Sequence, residues 1–297
     1  MPWYMYSLST SFSLVGLYLC IKWLTSRGIE PKQILFFMSG FACVGFLAAA
    51  APSLPAVVES TEFPGLLAAA TFAGVFAAIG HWADFEAIKR APNPGFATAL
   101  RNSSILPVTV GSVFVFGSAF DLLKLGGACL ILAGVVALVV EKKAAVYARE
   151  AGRAAGRRWV ALALAAMASY TLMVFGIKES TLLGFSAPEI CLTIYIVNFA
   201  FFAAVCRKTA RAFLRDKARL RLFVPVTLVC ALFAVAVNLL NVKGLALAPN
   251  PGYHEAIRST NLLFITLLAI PLFSASLDRQ KMAGVAVIVA GMILLVV

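Results

Sequence analysis

The pentapeptide Ala91-Pro92-Asn93-Pro94-Gly95 returns as Ala248-Pro249-Asn250-Pro251-Gly252, and the match runs on without a gap from 91–140 onto 248–297. At this offset of 157 residues Arg101 meets Arg258, Thr109 meets Thr266, Asp121 meets Asp278 and Lys124 meets Lys281. Gly127 and Gly134 likewise meet Gly284 and Gly291, while upstream Ile21-Lys22 parallels Ile177-Lys178 and Pro31 parallels Pro188. The chain therefore consists of two halves built to fold alike. Hydropathy decides what each half folds into. Hydrophobic residues make up 62% of the chain and charged residues 13%. A soluble domain has about 45–50% and about 25%. So much apolar surface fits a bilayer and excludes disordered, fibrous and disulfide-stapled classes.

Ten apolar windows follow one another at 4–24, 33–51, 65–88, 94–117, 122–140, 159–178, 188–206, 222–243, 251–273 and 280–297. A helix rises about 1.5 Å per residue, so each window can cross a hydrocarbon core about 30 Å thick. The expected fold is an all-α integral membrane protein of ten transmembrane helices. Five spans fall in 1–141, a basic linker in 142–158 and five spans in 159–297. An odd number of spans per half sends the second half into the membrane from the opposite side. That is an inverted repeat, in which secondary transporters place substrate near the midplane between the halves.

Formal charge is +12, and thirteen of the 25 Lys/Arg crowd into Lys142–Arg158 and Arg207–Arg221. Confined to short connections between apolar runs, they read as cytoplasmic loops rather than a nucleic-acid surface. Alternating the loops puts 19 of the 25 on one side, which places both termini on the other side of the membrane. The N-terminus lacks the basic region of a cleaved signal, and Trp3, Tyr4 and Tyr6 suit a membrane interface. The six cysteines form no C-x-x-C pair and only two histidines are present, so no disulfide framework, metal site or cofactor is expected.

Turn and packing signals repeat with the halves. Pro-Asn-Pro-Gly ends one helix and opens the next. Asp121 and Asp278 are placed to cap the last span of each half. Gly127/Gly134 and Gly284/Gly291 are each seven apart and so share a helix face, which predicts close packing of the fifth and tenth spans, with Gly134 meeting Gly291.

With these features the chain resembles the drug/metabolite transporter superfamily, in particular its EamA-type members. The likeness covers nearly the whole chain. It rests on Lys22 and Lys178 ending the first span of each half, on Pro31 and Pro188 opening the next, and on the Ala-Pro turn into the fourth span. Its most specific piece is Leu125-Gly126-Gly127-Ala128-Cys129-Leu130-Ile131-Leu132-Ala133-Gly134-Val135. The resemblance implies a ten-helix export or exchange carrier for small metabolites, with a central cavity lined by spans 1, 3, 4, 6, 8 and 9. Ser118 and Ala275 stand where many members carry a Glu, and no Arg lies near Ser39, where many carry one early in the second span. Characterised members keep both termini in the cytoplasm, opposite to the basic-residue count.

Ionisable groups within spans are costly and mark candidate sites. Arg101 and Arg258 can hold a carboxylate or phosphate; alternatively they form structural ion pairs, Arg258 with Glu255 three residues before it. Arg101 has Thr98 at that place. His81 and Asp84 lie one turn apart, with Asn238 and Asn241 as their repeat counterparts, and together they suit a polar cavity wall. Asp84 is the candidate for proton coupling, or else a structural partner of Lys22 or Arg101. Lys22 and Lys178 either snorkel to the interface or face the cavity. His254 stands at the start of the ninth span, with Tyr253 at a possible entrance. Glu86 suits a surface pair with Lys89 or Arg90, and Asn198 an interhelical hydrogen bond. The sequon Asn102-Ser103-Ser104 lies inside a span and is discounted.

No P-loop, G-x-S-x-G or H-E-x-x-H motif is present, so neither ATP-driven transport nor a familiar hydrolase is expected. The expectation is a secondary-active carrier of a small organic solute, anionic or zwitterionic, in a cell or inner membrane. Its partners are the solute and membrane lipids, without nucleic acid, as a monomer or homodimer. The alternatives are a carrier of cationic or drug-like compounds, a membrane-embedded lipid or isoprenoid enzyme, and a channel.

Overall fold

The computed structural model describes residues 1–91, 94–139, 158–215, 217–273 and 278–297. Every regular element among them is a helix. The first half holds α1 (Trp3–Ser26), α2 (Pro31–Ala50), α3 (Leu54–Glu59), α4 (Phe63–Arg90), α5 (Pro94–Asn102), α6 (Ile105–Phe116) and α7 (Leu122–Val139). The second holds α8 (Arg158–Leu182), α9 (Ala187–Arg215), α10 (Lys217–Leu247), α11 (Pro251–Arg258), α12 (Asn261–Phe273) and α13 (Arg279–Val296). Among the described residues, eight segments are long and apolar enough to cross a membrane. The chain is thus an all-α, multi-pass membrane protein. Leu122–Leu138 is a shorter apolar helix. The linker expected at 142–158 lies outside the described residues up to 157, as do Pro92, Asn93 and Ala275.

Local chemistry sets the helix ends. Pro251 begins α11, where its missing N–H costs nothing, and the Asn250 side chain accepts from the Gly252 N–H at 2.8 Å. Asp121 caps α7 by accepting from Leu123 N at 2.8 Å, and Asp278 caps α13 by accepting from Lys281 N at 2.8 Å. Gly28 closes α1 at φ 76°, in the left-handed region that other residues enter only with strain.

Two expectations change. The basic stretch Arg207–Arg221, read as a loop, is helical: α9 runs to Arg215 and α10 starts at Lys217. Its Arg, Lys, Ala and Leu are good helix formers, so helix propensity carries both helices past the apolar window. The windows at 94–117 and 251–273 are each interrupted, between α5 and α6 and between α11 and α12. The interruptions are Ser103-Ser104, one residue past Arg101, and Ser259-Thr260, directly after Arg258. Hydroxyl groups there compete for helix carbonyls. Ser259 Oγ donates to Ala256 O and Thr260 Oγ1 to Ile257 O, both at 2.7 Å, and the backbone tightens into three-residue turns.

Each main helix packs on one from the other half: α1 on α10, α4 on α8, α2 on α9 and α7 on α13. Apolar burial drives little association in lipid, where close van der Waals contact decides instead. At the α7–α13 contact a Cβ on Gly127 would fall 2.8 Å from Gly291 O, and one on Gly134 would fall 2.7 Å from Gly284 O. The expected tight contact therefore exists, but its partners are Gly127 with Gly291 and Gly134 with Gly284. The expected pairing of Gly134 with Gly291 is wrong, because the glycines of two helices running oppositely meet in reverse order.

Candidate functional site

The centre assembles from α4, the end of α5, α8 and α11. Asp84 on α4 is buried, and its Oδ2 accepts from Arg101 Nη1 at 2.9 Å. Arg101 also donates through Nε and Nη2 to Asn102 Oδ1, at 3.1 and 2.8 Å. All three faces of the guanidinium are thereby engaged. Of the partners open to Asp84, Arg101 is the one it takes, and the pair ties α5 to α4. Arg258 meets Glu255 end-on through Nη2, within α11 itself. Both pairs keep one carboxylate oxygen buried and without a hydrogen-bond partner: Asp84 Oδ1 and Glu255 Oε1.

His81, one turn before Asp84, shares a hydrogen bond with the Tyr170 hydroxyl of α8 through Nδ1, at 2.9 Å. Tyr170 lies within electrostatic reach of Asp84, Arg101, Arg258 and Tyr18 of α1, and His81 within reach of both arginines. The structure thus brings together His81, Asp84, Arg101 and Arg258. Tyr170 and Tyr18 were missed by sequence reasoning. Their signal was present: the chain uses 23 Phe and only 7 Tyr, so a tyrosine deep in an apolar span marks a place that needs a hydroxyl.

The other candidates sit apart from this group. His254 is fully buried, with Nδ1 at 2.7 Å from Ser7 Oγ and Nε2 at 3.0 Å from Asn241 Oδ1. One turn on, Ser11 Oγ lies 3.0 Å from Thr260 Oγ1. Ser7 and Ser11 were also missed; with Thr10 they form a buried polar stripe along α1 at helical spacing. Asn238 donates to the Tyr195 hydroxyl of α9 and to Ala234 O, both at 2.8 Å.

Lys22 is exposed near the end of α1, where a snorkelling lysine is expected. Lys178 does not snorkel: it is buried and donates to Leu245 O and Ala246 O at 3.1 and 3.2 Å, satisfying the last carbonyls of α10. Tyr253 lines no entrance, because it is fully buried with its hydroxyl on the backbone of Asp121. Asn198 donates to Ile194 O of its own helix and not to a neighbour. Glu86 pairs with Arg90 at 2.6 Å as expected.

No protein-family model matches the sequence, and no curated protein matches it. A solved structure described as "Crystal structure of protein" is similar over 96% of this chain and 95% of its own, with a TM-score of 0.67 and 16% identity. At that identity the likeness speaks for the fold alone. Its coverage makes this architecture one that a second sequence also adopts from end to end.

Proposed function

We propose that the protein is a secondary-active carrier of the EamA type, a ten-span inverted repeat that moves a small zwitterionic metabolite by alternating access. The observation that carries this reading is the pair of interrupted helices, each bearing beside its break an arginine paired with a carboxylate, Arg101 with Asp84 of α4 and Arg258 with Glu255 of its own helix. Discontinuous helices at a repeat interface are where carriers hold solutes. The packing of each main helix on one from the other half also supports two bodies that rock against each other.

The balance of charge favours a zwitterion over an anion. Asp84 and Glu255 match Arg101 and Arg258, so the centre is neutral before anything binds. A lone anion would leave an unmatched charge in a medium that penalises it. A zwitterion adds none. Its carboxylate suits Arg258, whose Glu255 contact is end-on. Its ammonium suits the unpartnered oxygens of Asp84 and Glu255. A cationic substrate uses the same oxygens but leaves the arginines unused.

Counterflow in proteoliposomes tests the reading. Vesicles loaded with pooled amino acids, organic acids or organic cations take up labelled tracer of the same pool. Uptake is expected with the amino-acid pool, and Arg258→Gln is expected to reduce it at least about tenfold, the loss of one charge-assisted hydrogen bond worth about 1.5–3 kcal/mol. Exchange confined to organic acids or cations overturns the zwitterion assignment. Product formation without translocation would favour the enzyme alternative.

A further inference from the structure

We propose that the end of the bundle where α1, α2, α9 and α10 meet binds the phosphate headgroup of an anionic phospholipid. Contacts along three helix pairs bring these ends together. On α9 the Cys206 thiol donates to Lys32 O at 3.4 Å, so the start of α2 lies beside Arg207. Phe37 of α2 meets Phe223 of α10 edge to face, with ring centroids 5.1 Å apart. α1 and α10 run oppositely: a Cβ on Gly244 would meet Tyr6, and further along α1 a Cβ on Gly16 would meet Phe233. The same register carried to the end of α1 brings Arg27 level with Phe223, close to Arg221.

Arg27, Arg207 and Arg221 are exposed, and among the described residues none of them pairs with a carboxylate. Arg27 lies over the Trp23 ring at 4.1 Å, an aromatic contact that leaves its charge unmatched. Lys32, by contrast, is matched by Glu30 at 2.9 Å. Unmatched guanidiniums on three helices at one membrane boundary suit an anion, and their planar forks fit phosphate oxygens.

Depth selects a lipid as the source of that phosphate. The apolar span of α9 ends at Arg207 and that of α10 begins at Leu220, yet α9 continues to Arg215 and α10 starts at Lys217. A headgroup layer is about 5–7 Å deep. At about 1.5 Å per residue Arg211 stands about 6 Å past Arg207, so α9 crosses that layer with Arg207, Lys208 and Arg211 in it. Arg207, Arg211 and Arg215 fall at steps of four and share a helix face. Seven of the residues 207–221 are Lys or Arg and only Asp216 is acidic. Phosphates of the surrounding leaflet meet these cations before any soluble anion does, and each basic residue near an anionic surface strengthens the attraction about fivefold. A lipid held here joins both halves at one end, since α1 and α2 belong to the first and α9 and α10 to the second. None of this needs the carrier reading.

Native mass spectrometry of the full chain, released from micelles holding phosphatidylglycerol and phosphatidylcholine in equal amounts, tests the site. Phosphatidylglycerol is expected to be retained at least about tenfold over phosphatidylcholine. Arg27→Gln, Arg207→Gln and Arg221→Gln together are expected to bring the ratio to about one. Lysine at the same three positions keeps the charge and is expected to keep a clear preference, which separates loss of charge from loss of fold. Lys89→Gln, Arg279→Gln and Lys281→Gln remove as many charges from α4 and α13 and are expected to leave the ratio unchanged. Equal retention of the two lipids by the wild type overturns the proposal. So does a preference that survives the first glutamine triple, disappears equally in the second, or vanishes in the lysine triple. Displacement of phosphatidylglycerol by excess inorganic phosphate would assign these arginines to a soluble phosphate and overturn the lipid.

Discussion

The α5–α6 and α11–α12 regions share their Pro-Asn-Pro-Gly start, their arginine and their break, yet they spend these features differently. Arg101 reaches across to Asp84 on α4 and fastens its helix to the neighbour. Arg258 turns back to Glu255 on its own helix. Its helix is fastened instead by His254, through Asn241 and Ser7. The exchange follows from single residues. Position 84 is Asp where position 241 is Asn, and position 98 is Thr where position 255 is Glu. A duplicated framework thus ties one arginine to a neighbouring helix and leaves the other paired within its own.

The largest expected effect breaks this contrast most directly. Asp84→Ala leaves the largely enclosed Arg101 without its counter-charge and is expected to cost about 3 kcal/mol. Glu255→Ala is expected to cost clearly less, because the Arg258 side chain keeps 26% of its surface accessible where that of Arg101 keeps 16%. Denaturant unfolding in detergent compares the two, and equal losses would remove the distinction between an arginine that fastens two helices and one paired within its own.

A smaller effect is expected where the halves remain equivalent. Gly134→Leu and Gly291→Leu each press a side chain onto a facing carbonyl and are each expected to cost about 1–3 kcal/mol. Cysteines at Gly134 and Gly284 are expected to crosslink readily, and cysteines at Gly134 and Gly291 not at all. Crosslinking of the second pair alone would reverse the register of α7 on α13.

The smallest effect probes the contacts that α11 and α5 make at equivalent places. Ser7→Ala is expected to destabilise by about 0.6 kcal/mol, a usual worth for an interhelical hydrogen bond in lipid. Ala163→Ser, at the equivalent place on α8, faces Ala87 and Ala97, neither of which offers a side-chain partner, and is expected to bring no stabilisation. Matched unfolding curves for both variants would remove the asymmetry.

Much of this was legible because its causes are local. Apolar windows of helical length, prolines at helix starts and aspartates two or three residues ahead of free N–H groups act within a few residues of themselves. The repeat made the small-residue faces legible too. The glycine register was not, since spacing along one helix says nothing of the direction of the helix it meets. The role of Lys178 was hidden for a like reason: the carbonyls it satisfies belong to residues 245 and 246.

The sequence by itself determined an all-helical membrane chain in two related halves, with an arginine at matching positions of each. Hydropathy period and turn chemistry suffice for that. Only the tertiary structure decided that Arg101 is spent on Asp84, that His254 is closed in by Ser7 and Asn241, and that Tyr170 stands among the charges. These are contacts between residues 13 to 247 positions apart, or from helices whose mutual rotation no local pattern fixes. In a bilayer, where apolar surface is indifferent to its neighbour, such polar contacts and close glycine faces choose which helix meets which.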